Sequence, residues 1–145
     1  MPYTRIFIHY VWSTKKRLPL LTAHVRERLF SHILFNASDK EIEIDRINGY
    51  YDHVHCLVRL KPGQTIDGVI KLIKGESAHW FNGSAKENGL RLEWQTEYFA
   101  VSVCESKLDI VRNYIDRQEE HHRRKTFEQE YSEIMKQHGF SSPRD

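Results

Sequence analysis

Residues Tyr50–Leu60, Tyr-Tyr-Asp-His-Val-His-Cys-Leu-Val-Arg-Leu, set the frame for the whole chain, because they read as a strand around which the rest is organised. Successive strand side chains point to opposite faces, so Val54, Cys56, Val58 and Leu60 line one face and His53, His55, Leu57 and Arg59 the other. The two imidazoles therefore stand side by side. Two histidines two apart on a strand can converge on one metal ion. A chain with nine histidines also produces His-x-His by chance, and a pair of half-exposed strand histidines with no ligand role is the competing reading.

At 145 residues the chain is expected to be one domain spanning 1–145. Its net charge of +2 excludes a histone-like basic excess, so nucleic-acid binding has to be argued from local patches. No apolar run approaches the roughly 18 to 20 residues of a membrane span, and the start has no signal pattern, so a cytoplasmic location is expected. Cys56 and Cys104 show no CxxC spacing and read as reduced packing residues.

Arg5 to Thr14 is β-branched and aromatic on both faces, which predicts a central strand ended by Lys15, Lys16, Arg17 and Pro19. Such a triplet is a solvated loop or a place where a phosphate docks. Thr22 caps a predicted helix to about Ala37, with Val25, Leu29, Ile33 and Ala37 at four-residue spacing. Glu41 to Ile47 alternates as a strand, and Asn48-Gly49 supplies a tight turn into the histidine strand. After Pro62-Gly63, Thr65 to about Phe81 reads as a helix with Ile66, Val69, Ile70, Ile73 and Trp80 on its apolar face and Lys71 and Lys74 off it. A loop with Gly83, Asn88 and Gly89 precedes Leu92 to Val103, read as a long last strand. The order βαββαβ over residues 5–104 is the ferredoxin-like α+β arrangement: a four-stranded antiparallel sheet with both helices on one face, its other face open to C-terminal helices.

Ser106 and Asp109 predict a capping box for a third helix over 106–123. At about 100° per residue, Leu108, Val111 and Ile115 form its buried stripe, with Gln118 inside that stripe and Tyr114 at its edge. A buried unpaired amide costs on the order of 1 to 3 kcal/mol, so either Gln118 has a partner such as a metal ion or the helix has reached solvent there. By default Tyr114 is a core residue with its hydroxyl at the rim. Thr126 with Gln129 starts a last helix over 126–138 bearing Phe127, Tyr131, Ile134 and Met135. The charged link before it includes His121 and His122, a doublet that could bind metal but is expected at the surface in so charged a run.

Asp52-His53-Val54-His55, the helical Lys74-Gly75, Trp94, Tyr98-Phe99, Tyr114-x-x-x-Gln118 and the basic strand end Thr14-Lys15-Lys16-Arg17 together resemble the single-tyrosine HUH transposases of bacterial insertion sequences, including the REP-associated relatives. The resemblance runs from about Arg5 to His122. It departs at Cys104, where the family often has glycine, and leaves the last helix outside the matching motifs.

The resemblance implies that His53, His55 and Gln118 bind a divalent metal, Mg²⁺ or Mn²⁺, and that Tyr114 is the nucleophile. It implies strand transfer on single-stranded DNA hairpins at element ends through a 5′-phosphotyrosine, by a homodimer with no organic cofactor. Two imidazoles and an amide carry no charge, so the ion would keep its full pull on a phosphate. A phenol with a pKa of about 10 needs such help. Lys15, Lys16, Arg17, Arg59, Lys71 and Lys74 are candidate DNA-backbone contacts, and Trp80 or Trp94 candidate stacking groups, each against an ordinary surface or core role. Four rivals stand beside this reading. One is a non-catalytic single-strand-binding module on the open sheet face. Another is a host-adapted endonuclease acting on palindromic repeats, and the third is a replication initiator or relaxase, which the small size disfavours. A histidine-triad hydrolase needs a third histidine where Leu57 stands.

Overall fold

The computed structural model describes residues 2–83 and 89–140; Asn88 of the expected loop lies outside the described residues. Four strands, β1 (Ile6–Ser13), β2 (Glu43–Gly49), β3 (His53–Leu60) and β4 (Phe99–Val103), form one sheet in the order β2-β3-β1-β4. All three pairings are antiparallel, as expected of a ferredoxin-like sheet. Helices α1 (Ala23–Asp39) and α2 (Ile66–Gly83) cover one face. There Ile8, Tyr10, Trp12, Val54, Cys56 and Val58 meet Val25, Leu29 and Ile33 of α1 and Val69, Ile70 and Ile73 of α2 in the main core. Complete burial of one such side chain stabilises the fold by roughly 1.5 to 3 kcal/mol.

The opposite face is covered by α3 (Leu108–Asp116), α4 (Gln118–His122) and α5 (Phe127–Gln137). Phe7 and Leu57 pack against Leu108 and Ile115, while Val11 and Phe99 pack against Phe127, Tyr131, Ile134 and Met135. Thr22 caps α1 through Val25 N–H, and Thr126 with Gln129 forms the expected capping box of α5.

Several expected boundaries move, each for a local reason. Asn48-Gly49 is not the hairpin turn: β2 continues through it, pairing Asn48 with His55 and Gly49 with Val54, and the chain turns at Tyr50, Tyr51 and Asp52. The histidine strand therefore starts at His53 rather than Tyr50. Glycine is required at 49 by close approach, because a Cβ there would sit 2.2 Å from the His53 carbonyl oxygen.

Of the long last strand only Phe99–Val103 pairs with β1, and Trp94 makes an isolated bridge to Thr14. Trp94 and Phe99 are five positions apart, whereas their partners Thr14 and Val11 are three apart, so the chain between must bulge away from β1. The bulged carbonyls of Gln95, Thr96 and Glu97 accept from the Lys74 ammonium instead.

The expected third helix is two helices broken at Arg117, whose φ of −101° and ψ of 21° leave the helical region. The Asn48 side-chain amide donates to the Ile115 and Asp116 carbonyls at 2.9 and 3.2 Å, satisfying acceptors that the break exposes. The Ser106–Asp109 capping box does not form: Lys107 is the N-cap, and Asp109 pairs with Arg112.

Candidate metal centre and tyrosine

The site is built on the sheet face beneath α3, α4 and α5. His53 and His55 project from β3 with no exposed surface. Their outer nitrogens are fixed by different partners. His53 Nδ1 lies 2.9 Å from Asp52 Oδ1, and His55 Nδ1 lies 2.9 Å from His9 Nε2 on β1. Asp52 accepts, so His53 Nδ1 carries a proton and Nε2 faces inward.

Gln118 is fully buried, as its place in the apolar stripe required, with its Oε1 3.0 Å from His53 Nε2. Tyr114 lies over His55 edge to face, ring centroids 5.5 Å apart. Thus His53, His55, Gln118 and Tyr114, spread over 66 positions of sequence, come together in one chain.

Glu130 of α5 stands at the centre of this group, 1% exposed. Its Oε1 is 3.1 Å from His55 Nε2, 3.3 Å from His53 Nε2 and 3.1 Å from His122 Nε2. Its Oε2 accepts the Tyr114 hydroxyl and, at 3.3 Å, the Gln118 amide. His122 is therefore buried, against the surface position expected of it, because α5 folds back and the His122 ring stacks on Tyr50.

Sequence reasoning missed Glu130, although Phe127, Glu130, Tyr131 and Ile134 fall at i, i+3, i+4 and i+7, the same stripe logic that singled out Gln118. His9 was also missed as a site residue. It carried no local signal, since its partner lies on a neighbouring strand.

The electrostatics follow from burial and these contacts. Burial alone would raise the Glu130 carboxyl, but hydrogen bonds from His53 and His55 and their fields outweigh it and hold it down to about 2. Burial would lower His53, and its bonds to Asp52 and Glu130 overturn that, leaving it raised. His55 is lowered by burial. His9 falls to about 3 through burial and then the neighbouring His55, and His122 falls to about 4 through burial and then His53.

The donor set fits a divalent ion. Donors about 2.1 Å from an octahedral ion lie about 3 Å from one another. His53 Nε2, His55 Nε2, Gln118 Oε1 and Glu130 Oε1 show neighbouring separations of 3.0, 3.1 and 3.3 Å. His53, His55 and Glu130 offer three ligand atoms all within 4.8 Å of one another. Without an ion, both nitrogens of His53 face acceptors, which calls for an imidazolium; with one, Nε2 binds as a lone-pair donor.

The basic candidates divide by position. Thr14 N–H bonds the Asp52 carbonyl at 2.9 Å, so Lys15, Lys16 and Arg17 follow directly from the His53 end of the sheet. Lys16 and Arg17 both have positive φ, 58° and 53°, a costly backbone for L residues. Arg17 lies over the Phe127 and Tyr131 rings of α5. Arg59 is six residues along β3, roughly 20 Å away, and donates to the Thr4 carbonyl at 3.1 Å. Lys71 and Lys74 are on α2, across the sheet, Lys71 paired with Asp67 at 2.8 Å. Trp80 stacks on His32, and Trp94 meets Trp12 edge to face, both on that far side.

The sequence profile "Transposase IS200 like" matches residues 2–118. The ISDra2 transposase TnpA of Deinococcus radiodurans is 26% identical over 114 residues, covering 76% of this chain and 81% of that protein. Among solved structures, a transposase from Deinococcus radiodurans R1 superposes with a TM-score of 0.62 at 25% identity, covering 81% of this chain and 93% of that one. A REP-associated tyrosine transposase bound to a REP hairpin superposes with the same TM-score at 19% identity, covering 84% and 72%, a likeness of fold. With the profile spanning β1 to Gln118 and the histidine face arranged as described, the chain belongs to the IS200-like transposase family and is a DNA-processing enzyme.

Proposed function

We propose that this transposase cleaves and rejoins single-stranded DNA at hairpin-bearing element ends through a 5′-phosphotyrosine on Tyr114. One observation carries the reading: a phenol hydroxyl and the inward atoms of two strand imidazoles and a helix amide are gathered around a single carboxylate. The hairpin bound by the REP-associated neighbour supports the choice of substrate.

In the proposed step the Tyr114 oxygen attacks a backbone phosphorus, the bond from phosphorus to the 3′-oxygen breaks, and the 3′-hydroxyl leaves with the proton that the phenol gives up. The tyrosyl ester retains the phosphodiester energy, so another 3′-hydroxyl can reverse the step and join different ends. A bound Mg²⁺ or Mn²⁺, held by His53, His55 and Gln118, would supply positive charge against the phosphate oxygens.

Lys15, Lys16 and Arg17, beside the site, are the proposed first contacts to the DNA backbone, ahead of Arg59, Lys71 and Lys74. A homodimer would place two tyrosines at two ends, and the sheet has two edges, β2 and β4, through which copies could pair. No helix among the described residues is long and apolar enough to cross a membrane, and work on DNA points to the cytoplasm.

The test is incubation of the protein and Mn²⁺ with hairpin oligonucleotides taken from palindromes flanking its gene. A denaturant-resistant protein–DNA band is expected, and Tyr114→Phe abolishes it. A band that persists in the variant moves the nucleophile elsewhere; binding without any adduct leaves a non-catalytic module.

A further inference from the structure

Glu130 lies on α5, beyond the segment matched by the family profile, which ends at residue 118. Its burial needs a reason. A carboxylate placed in a protein interior pays a heavy desolvation cost unless charge or hydrogen bonds repay it. Here the apolar residues around it, Phe127, Tyr131 and Ile134, dock α5 on the sheet through Val11 and Phe99, and that docking delivers the carboxylate into the histidine face.

We propose that Glu130 is a direct ligand of the divalent ion, Oε1 joining His53 Nε2 and His55 Nε2 while Oε2 holds the Tyr114 hydroxyl. The proposal rests on the metal-centre reading above and adds a ligand from outside the family-matched segment.

Three features carry it. The Oε1 atom sits 3.1 and 3.3 Å from the two imidazole nitrogens, the spacing of neighbouring donors on one ion. A hard carboxylate oxygen suits Mg²⁺ and Mn²⁺ better than imidazole or amide donors alone. The two oxygens face different partners, so one carboxylate can bind the ion and orient the phenol together.

The charge at the ion changes accordingly. Two imidazoles and an amide would leave the ion its full +2, whereas Glu130 reduces the site to +1 and exchanges pull on the phosphate for tighter retention of the metal. Binding of the ion also ties α5 to β3, because ligands from both elements close on it.

Calorimetric titration with Mn²⁺ and the shift in Tm that Mn²⁺ produces, for wild type, Glu130→Gln and His53→Ala, provide the test. Wild type is expected to bind; Glu130→Gln, close in shape, loses affinity by about tenfold or more, since a direct ligand matters at least as much as an outer partner. It also loses most of the Mn²⁺-induced Tm rise. Unchanged or tighter binding in Glu130→Gln overturns the proposal while leaving the histidine site standing. Absence of binding in wild type overturns the underlying site reading instead. Should Glu130→Gln fail to fold, anomalous diffraction from Mn²⁺-loaded wild-type crystals decides: the ion within coordination distance of a Glu130 oxygen upholds the proposal, and a Glu130 swung clear of it overturns it.

Discussion

His9 shows how much of a site rests on a hydrogen bond between two side chains on neighbouring strands. Its Nε2 lies 2.9 Å from His55 Nδ1, the nitrogen that faces away from Glu130. For His55 to offer a lone pair at Nε2, its proton must sit on Nδ1, and His9 kept neutral by burial is there to accept it. We expect His9→Ala to weaken Mn²⁺ binding roughly 10- to 100-fold with the fold intact by circular dichroism, and His9→Gln, which keeps an acceptor at that reach, to recover part of the loss. Equal affinity in His9→Ala by calorimetry would show that His55 needs no orienting partner. What could be read from single residues followed one rule: a polar group in an apolar stripe must have a partner. That rule found Gln118. It holds equally for Glu130, which falls in the stripe of Phe127, Tyr131 and Ile134 with Glu128 and Glu133 on either side of it in sequence. His9 follows no such rule, because a partner across two strands leaves no trace in spacing.

The helix that carries Tyr114 is held by an irregularity in an edge strand. The pairing of β2 with β3 shifts register between Ile44 and Arg46, and the unpaired Asp45 reaches Arg112 of α3 through two bonds of 2.9 and 2.7 Å. The Arg112 hydrogen bond keeps the Asp45 carboxyl below its ordinary 3.8. A depressed carboxyl stabilises the fold above its ordinary value, and that contribution disappears as pH falls through the folded one. Asp45→Asn is therefore expected to lower the urea midpoint at pH 7, to converge on wild type once pH has fallen past the depressed Asp45 value, and to reduce adduct formation by loosening α3. A difference between the two proteins that is constant with pH would remove the ion pair from the explanation. Regular elements were legible wherever a period of two or 3.6 ran unbroken, as in β1, β3, α1 and α2. The failures share one cause: tertiary partners. Lys74 draws the 95–97 carbonyls out of a strand, and Asn48, which reads as a turn residue, spends its amide on the break between α3 and α4.

Taken as one body, the molecule assembles a complete candidate site from a single chain, which bears on how two copies would share work. Tyr114 faces His55 of its own chain and bonds Glu130 of its own chain. Little slack exists for exchange. Only the 3-10 turn Glu105–Lys107 joins β4 to α3, while Asp45 and Asn48 pin both the middle and the end of α3 to β2 of the same sheet. Carrying Tyr114 to a partner would break those bonds, uncover Leu108 and Ile115, and leave the buried Glu130 without the phenol. Each of those losses costs on the order of 1 kcal/mol or more. The arrangement predicts cleavage in cis. Tyr114→Phe and His53→Ala each lack one part of the reaction, the nucleophile or a proposed metal ligand. If the tyrosine acts only on its own histidines, mixing the two inactive variants with Mn²⁺ and hairpin DNA yields no more covalent adduct than either alone, whether or not the copies pair. A covalent band that appears only in the mixture, carried by the His53→Ala chain, would mean that the helix does cross between subunits and that the bonds from β2 yield during the reaction.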